Sequence, residues 1–152
     1  MNDIKIDYFI ANNTHFAQLT AMRHEFKNVS NNADKEFNAT YSDYLKNEYD
    51  LNRIKIFCGQ YKKEIIGNIN LIIVPKSPKP DSKTKYIGYV TNTYVKESFR
   101  NCGIGSTLLQ MIKEYSKSND IELLFVWPSE ESTNYYERSG FQTNNEIMEL
   151  IL

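Results

Sequence analysis

The chain has 152 residues, of which 41% are hydrophobic and 24% charged, and its formal net charge is −1 at pH 7. These values predict one globular domain over residues 1–152 and give no electrostatic case for nucleic acid or an anionic membrane as a partner. No run approaches the roughly 18 apolar residues of a membrane helix, and Asp3 and Asp7 make the first ten residues unlike a secretory signal. We therefore expect a cytoplasmic protein, with Cys58 and Cys102 as free thiols in a reducing compartment.

Apolar periodicity in the first half of the chain predicts a strand, two helices and two further strands. The strand comes first, because residues 3–11 alternate apolar and polar side chains. The helices and the other strands follow at 16–26, 34–50, 54–61 and 65–74. Polar residues at 29–33 separate the two helices. The Pro- and Lys-rich segment 75–85 is interpreted as a solvated hairpin loop, with a mobile flap over a cleft as the alternative.

The second half predicts a strand–helix–strand unit and then a further helix and strand. The unit consists of a strand at 86–95, a glycine turn, a helix at 104–118 and a strand at 121–127. Because residues 121–127 are almost all apolar, we expect this strand to be buried on both faces and paired in parallel. A helix at 130–139, which Gly140 ends, and a last strand at 147–151 complete the order.

The turn before the helix at 104–118 carries a candidate phosphate site. Its residues are Arg100, Asn101, Cys102, Gly103, Ile104 and Gly105. Glycine lets the backbone approach a ligand closely and take positive φ, and the start of a helix presents unpaired N–H groups with partial positive charge. Together these features predict a cradle for phosphate oxygens, to which the hydroxyl groups of Ser106 and Thr107 can add donors.

Three phosphate-binding designs compete for this turn. A P-loop needs Gly-Lys before its Ser or Thr, but Ser106 directly follows Gly105. A dinucleotide-binding turn needs a third glycine, where Leu108 stands, and an acid at the far end of the next strand, whereas Glu122 lies at its start. The spacing fits the third design, which is the Arg-x-x-Gly-x-Gly loop for the pyrophosphate of coenzyme A.

Two segments resemble signatures of the GNAT acetyltransferases. The turn resembles the acetyl-CoA loop of that family at Arg100, Gly103, Ile104 and Gly105, and Val95 matches the valine that usually precedes the loop. Residues 136–141 (Tyr-Glu-Arg-Ser-Gly-Phe) resemble the second signature, Tyr-x-x-x-Gly-Phe. The resemblance implies a GNAT-type α/β fold, in which helices flank a mixed, mostly antiparallel twisted sheet with a central parallel strand pair. The first half of the chain matches only by the order of its elements.

The resemblance also implies roles for individual residues, with acetyl-CoA as the co-substrate. Tyr136 occupies the position of the family's proton donor to the leaving thiolate. The backbone N–H groups that polarise the thioester carbonyl fall on Tyr94 and Val95. Ser129 stands where many members carry an Asn that contacts the pantetheine arm. Tyr135 is interpreted as a packing residue that points away from the site.

Two loop residues depart from the family pattern. Asn101 replaces a residue that is often glycine, and we expect the turn to survive because Asn tolerates left-handed backbone. Cys102 replaces a residue that is often basic, so one phosphate contact is expected to be missing. A reactive thiol near a helix start is the alternative interpretation of Cys102, but direct acetyl transfer needs no nucleophilic cysteine.

The sequence shows no general base and no metal site. Glu25 and Glu130 are acids that could reach the cleft, while many family members use a chain of water molecules. The two histidines and the two cysteines have no metal-ligand spacing, so we predict no metal.

Three functions follow from these interpretations. The leading one is transfer of an acetyl group to a small-molecule or peptide amine. The alternatives are a protein acetyltransferase or a user of longer acyl donors, and a coenzyme A-binding regulatory module without turnover. We expect residues 14–50 and 75–85 to form the acceptor pocket, where Glu25, Phe26, Tyr41 and Tyr44 favour a cationic amine. Family members often form dimers, which leaves a homodimer open.

Overall fold

Five strands form one sheet in the spatial order β1-β2-β3-β4-β5 in the computed structural model, which describes residues 4–27, 34–80, 85–144 and 146–152. The strands are β1 (Asp7–Ile10), β2 (Ile54–Tyr61), β3 (Glu64–Pro75), β4 (Tyr86–Val95) and β5 (Ile121–Phe125). Neighbours from β1 to β4 are antiparallel, whereas β5 runs parallel to β4. This mixed sheet confirms the predicted fold class.

Four α-helices flank the sheet: α1 (Phe16–Lys27), α2 (Asp34–Asp50), α3 (Ile104–Ser118) and α4 (Thr133–Arg138). A 3₁₀ turn leads into α1 and begins at Asn12, whose side chain accepts from the Thr14 N–H at 3.0 Å. The Asn12 N–H donates in return to Nδ1 of His15 at 3.1 Å, so two backbone donors are satisfied reciprocally. No helix within the described ranges is long and apolar enough to cross a bilayer.

Two apolar clusters lie on opposite faces of the sheet. Phe57 of β2 belongs to one cluster, while its neighbours Ile56 and Cys58 belong to the other. Successive residues of a strand point to opposite faces, so the two clusters are separated by the sheet itself. Helix α3 packs into the first cluster, and α1 and α2 pack into the second, through Ile104, Leu108, Leu109, Ile112, Leu19, Met22 and Leu45.

Strand β4 contains a β-bulge and then separates from β5. In the pairing with β3, Asn68 lies opposite Tyr94 and Asn70 lies opposite Thr91, so two residues of β4, Asn92 and Thr93, face one residue of β3. Asn92 takes a left-handed φ of 51°. The ladder between β4 and β5 ends at the pair of Tyr89 and Phe125. The backbone of β4 from residue 90 to residue 95 therefore has no partner strand on that side.

Three predicted elements differ from the structure. The strand predicted at 147–151 is wrong: the segment is apolar, but it pairs with no strand, and a strand forms only where its backbone groups find a neighbour. The parallel pairing of β5 is confirmed, but its burial on both faces is wrong, because Leu123 is 55% exposed on the last strand of the sheet. The helix predicted at 130–139 is a 3₁₀ turn followed by the short α4. Residues 1–3, 28–33 and 81–84 of other predicted segments lie outside the described residues.

Leu108→Ala should lower the free energy of unfolding by about 2–5 kcal/mol, because Leu108 of α3 is fully buried against the sheet and its truncation leaves a cavity. Leu123→Ala is the matched control, and it should cost less than about 1 kcal/mol because that side chain is already 55% exposed. Urea denaturation followed by circular dichroism measures both values. Equal losses would contradict the position of α3 on the sheet.

Candidate active site

A cleft of about 1130 Å³ opens where β4 and β5 separate. Its centre is lined by β4 from Tyr89 to Val95. The glycine loop and α4 line the end on the α3 face, whereas Arg23 and Phe26 of α1 line the other end. Because α1 and α3 lie on opposite faces, the cleft passes through the sheet from one face to the other.

The glycine loop turns the start of α3 toward the cleft. Asn101 and Gly103 have left-handed φ values of 59° and 77°, which agrees with the expectation that Asn replaces glycine here. Nε of Arg100 donates to the carbonyl of Val95 at 3.2 Å and ties the loop to the end of β4. A side chain added at Gly103 would meet no atom within 4 Å, so the space beside this residue is open. The first N–H groups of α3 thus face an open cavity, as a phosphate site requires.

Tyr135 packs against the first turn of α3, a contact that the sequence reasoning missed. Its hydroxyl donates to the carbonyl of Gly105 at 2.7 Å. A Cβ at Gly105 would lie 3.3 Å from the Tyr135 ring, so glycine is needed here for contact with α4. Burial raises the pKa of the Tyr135 phenol, which keeps this donor protonated. Tyr135 is a packing residue, as predicted, but it holds the loop to α4 instead of pointing away from the site.

Tyr136 places a phenol in the centre of the cleft. Only 5% of the residue is exposed, and its hydroxyl lies 2.9 Å from the hydroxyl of Thr93 in the bulge. Burial raises the pKa of Tyr136 above its ordinary value, although the hydrogen bond with Thr93 opposes that rise. The phenol therefore keeps its proton at neutral pH and can donate it to a group bound in the cleft.

All of the predicted site residues line the cleft except Cys102 and Thr107. Cys102 is exposed, and its thiol contacts the carbonyl of Arg100 at 3.5 Å. The Thr107 hydroxyl donates to the carbonyl of Gly103 at 3.1 Å, one turn earlier, so it is engaged within the helix. The Ser129 hydroxyl bonds to that of Ser132 at 3.0 Å and thereby shapes the turn before α4.

The structure places only some of the candidate base and acceptor-pocket residues at the cleft. Glu25 lines the cleft and is bonded to Lys96 at 3.1 Å, whereas Glu130 does not line it. Tyr41 and Tyr44 do not line it either. Trp127, which is 58% exposed, also lines the cleft, and the sequence assigned it no role.

Neither cysteine forms a disulfide in the structure. Cys58 is buried beneath α1 and α2, and burial raises the pKa of its thiol to about 12, so it stays a neutral packing residue. Within the described ranges, no group of three or more His, Cys, Asp or Glu side chains is placed to hold a metal ion.

Comparison with known families identifies this arrangement. The model described as "Acetyltransferase (GNAT) family" matches residues 19–141, which include β2 to β5 and all of the cleft-lining residues. The chain belongs to the GNAT acetyltransferase family. The two signatures that suggested a GNAT protein therefore lie within the matched region.

Individual relatives agree with the GNAT assignment. A glucosamine 6-phosphate N-acetyltransferase of Trypanosoma brucei brucei is 31% identical over 98 residues, which cover 64% of this chain and 65% of that enzyme. A predicted acetyltransferase of Clostridium acetobutylicum, solved with acetyl-CoA, has a TM-score of 0.82 at 21% identity and covers 97% of this chain and 96% of its own. Glucosamine-6-phosphate N-acetyltransferase of Arabidopsis thaliana has a TM-score of 0.74 at 11% identity, covering 97% and 98%. At these identities the two structures show the shared fold.

Gly103→Val should abolish acetyl-CoA binding, because its branched side chain would fill the open space in front of the α3 N–H groups. Isothermal titration calorimetry with acetyl-CoA measures the affinity. The matched control is Gly140→Val, which has a left-handed φ of 94°, equally open surroundings and no place in the cleft. Both variants should lose stability of about 1–2 kcal/mol from backbone strain, but only Gly103→Val should lose binding. Unchanged affinity in Gly103→Val would remove the phosphate site from this loop.

Proposed function

We propose that this GNAT protein, as one domain over residues 1–152, transfers an acetyl group from acetyl-CoA directly to a primary amine without a metal. The observation that carries the proposal is the neutral Tyr136 phenol, held by Thr93 at 2.9 Å in the same cleft as the open start of α3. One end of the cleft suits a pyrophosphate, and its centre holds a proton donor. A site that only binds coenzyme A has no need of that donor.

The unpaired backbone of β4 supports the position of the cofactor. Past Tyr89 the edge of β4 that faces away from β3 has no partner strand, so backbone groups on that edge can bond an extended pantetheine arm, apart from the Val95 carbonyl, which accepts from Arg100. An arm that lies along β4 from the glycine loop brings the thioester to Tyr94, Val95 and Tyr136. The N–H groups of Tyr94 and Val95 would then stabilise the negative charge that develops on the thioester oxygen.

The proposed reaction uses side chains from both faces of the sheet. A neutral amine attacks the thioester carbon, and the C–S bond breaks as the tetrahedral intermediate collapses. The coenzyme A thiolate takes the phenolic proton of Tyr136, while the new amide nitrogen loses a proton to water or to Glu25, the cleft-lining carboxylate proposed as a base. Because burial keeps the Tyr136 pKa above its ordinary value, the donor is fully protonated when the amine is reactive.

Release of coenzyme A in the presence of a panel of primary amines tests the proposal. Glucosamine 6-phosphate belongs in the panel because the curated relative is named for that acceptor. Small amines, peptides and protein lysines separate the acceptor classes, and propionyl-CoA tests a longer donor. Binding of acetyl-CoA with no turnover of any amine would contradict catalysis and leave a regulatory coenzyme A-binding module.

The proposal also leaves the quaternary structure to be measured. The residues that follow α4 include strongly exposed apolar side chains, with Met148 at 97% and Ile151 at 92% exposure. Such side chains are often covered by a partner, which supports a homodimer. Analytical ultracentrifugation distinguishes a dimer from a monomer.

Tyr136→Phe should lower kcat by about 10²-fold with little change in acetyl-CoA affinity, because the ring and its packing remain and only the proton is lost. In the unmodified protein, kcat should not fall through ionisation of Tyr136 until the pH exceeds the ordinary tyrosine value of 10.0. Steady-state kinetics across pH, with an amine found by the panel, measure both effects.

Tyr115→Phe on α3 is the matched control, because Tyr115 packs on Phe57 and does not line the cleft. It should keep full kcat. Tyr135→Phe is unsuitable as a silent control, since it removes the bond to Gly105. Full kcat in Tyr136→Phe at every pH would show that the proton donor lies elsewhere.

A further inference from the structure

Arg23 of α1 is a partly buried cation that lines the cleft. Its Nη1 donates to Oδ1 of Asn92 at 2.6 Å, and its guanidinium carbon lies 5.2 Å from the ring centre of Phe26 and 6.0 Å from that of Tyr41. Among the side chains that the structure describes, no carboxylate lies within ion-pair distance of Arg23. A charge that is taken partly out of water and held by neutral groups alone gains most from a bound anion.

Hydrogen bonds hold this guanidinium in one position. The side-chain Nδ2 of Asn92 donates to the Tyr41 hydroxyl at 3.2 Å. The backbone carbonyl of Asn92 accepts from Nδ2 of Asn68 at 3.2 Å. Both Oδ1 and Nδ2 of the Asn92 side chain are therefore hydrogen-bonded, and the left-handed backbone of this residue lies in the bulge. A guanidinium has five N–H donors, of which Asn92 engages one, so the remaining donors form a fixed fork.

The place of Arg23 assigns it to the acceptor and not to coenzyme A. It bonds to Asn92, and the next residue, Thr93, holds the Tyr136 hydroxyl, so Arg23 flanks the centre of the cleft. It enters from α1, on the face opposite the glycine loop. The neighbouring acid on this helix, Glu25, is paired with Lys96 at 3.1 Å, so it leaves the Arg23 charge uncompensated.

We propose that Arg23 binds an oxyanion of the acceptor, which is therefore a small primary amine that also carries a phosphate or a carboxylate. This inference rests on the proposed acetyl transfer and names its substrate class. A planar guanidinium matches either oxyanion through two parallel hydrogen bonds. Trp127, which packs edge-on to Tyr89 at 4.9 Å, offers an apolar wall for the body of such a molecule. Of the four residues on which the sequence favoured a cationic amine, Glu25 and Phe26 line the cleft, whereas Tyr41 and Tyr44 do not.

Matched acceptors that differ only in the anionic group test the proposal. Glucosamine 6-phosphate against glucosamine isolates a phosphate, and glycine against glycinamide isolates a carboxylate. We expect the unmodified protein to have the higher kcat/KM for the anionic member of at least one pair, and the better pair identifies the oxyanion. Arg23→Gln should lower that value by about 10- to 100-fold, mainly through KM, and should change the neutral member less than about 3-fold.

Two further variants separate binding from folding. Arg23→Lys keeps the charge but not the fork, so it should restore part of the preference. Arg53→Gln is the control, because Arg53 is bonded to Glu48 at 2.8 Å and lies outside the cleft lining. It should leave every value unchanged, and all variants should keep the same acetyl-CoA affinity.

The outcomes distinguish this inference from the proposed function. Turnover of neutral amines with no preference for the anionic members, or an equal loss for both members in Arg23→Gln, would overturn the role of Arg23 and leave acetyl transfer intact. If no amine is turned over, acetyl transfer fails, and calorimetric titration of glucosamine 6-phosphate and glycine into the coenzyme A complex decides the inference. Binding of either compound that weakens about 10- to 100-fold in Arg23→Gln supports it, and absence of binding overturns it.

Discussion

Strand β4 contains a bulge in which two of its residues lie opposite one residue of β3. Its pairing with β5 has already ended at that point, so the two strands separate and leave a gap in the sheet. A parallel pair normally satisfies its backbone groups along its whole length. Here the edge of β4 that faces away from β3 has no partner strand from residue 90 to residue 95, a length that suits an extended ligand. The cleft, the access of α3 to it and the position of the Tyr136 phenol beside it all depend on this separation.

Through two consecutive residues the bulge also holds one side chain from each face of the sheet. Asn92 bonds to Arg23 of α1, while Thr93 bonds to Tyr136 of α4. A change in the backbone at this point would therefore move the cation and the phenol together. In the proposed reaction the same bulge orients the acceptor from one face and the leaving thiolate from the other, which fixes their relative geometry without a metal or a covalent intermediate.

Local features of the sequence predicted much of this architecture. The glycine loop was predictable because left-handed turns and helix starts depend on adjacent residues, and the structure gives Asn101 and Gly103 the expected backbone. The four helices and five strands follow from periodicity. The strand at 147–151 failed, because apolar composition cannot show whether a partner edge is available.

Long-range contacts could not be predicted in the same way. The bond of Tyr135 to Gly105 joins residues 30 positions apart, and the bond of Arg23 to Asn92 joins residues 69 positions apart. Neither has a local signature, since an arginine and a tyrosine on amphipathic helices usually indicate a solvated face and core packing. The bulge beside the cleft depends on the register between β3 and β4, and the sequence of one strand does not specify that register.

In the proposed complex, acetyl-CoA lies along the unpaired edge of β4 with its pyrophosphate on the start of α3. Amide ¹H–¹⁵N spectra recorded during titration with acetyl-CoA test this claim directly. We expect the largest shifts, and protection from hydrogen exchange, at Tyr94 and Val95 in β4 and at Gly103, Ile104 and Gly105 in the loop. Shifts confined to the loop, with the amides of β4 unchanged, would contradict the proposed course of the cofactor through the sheet.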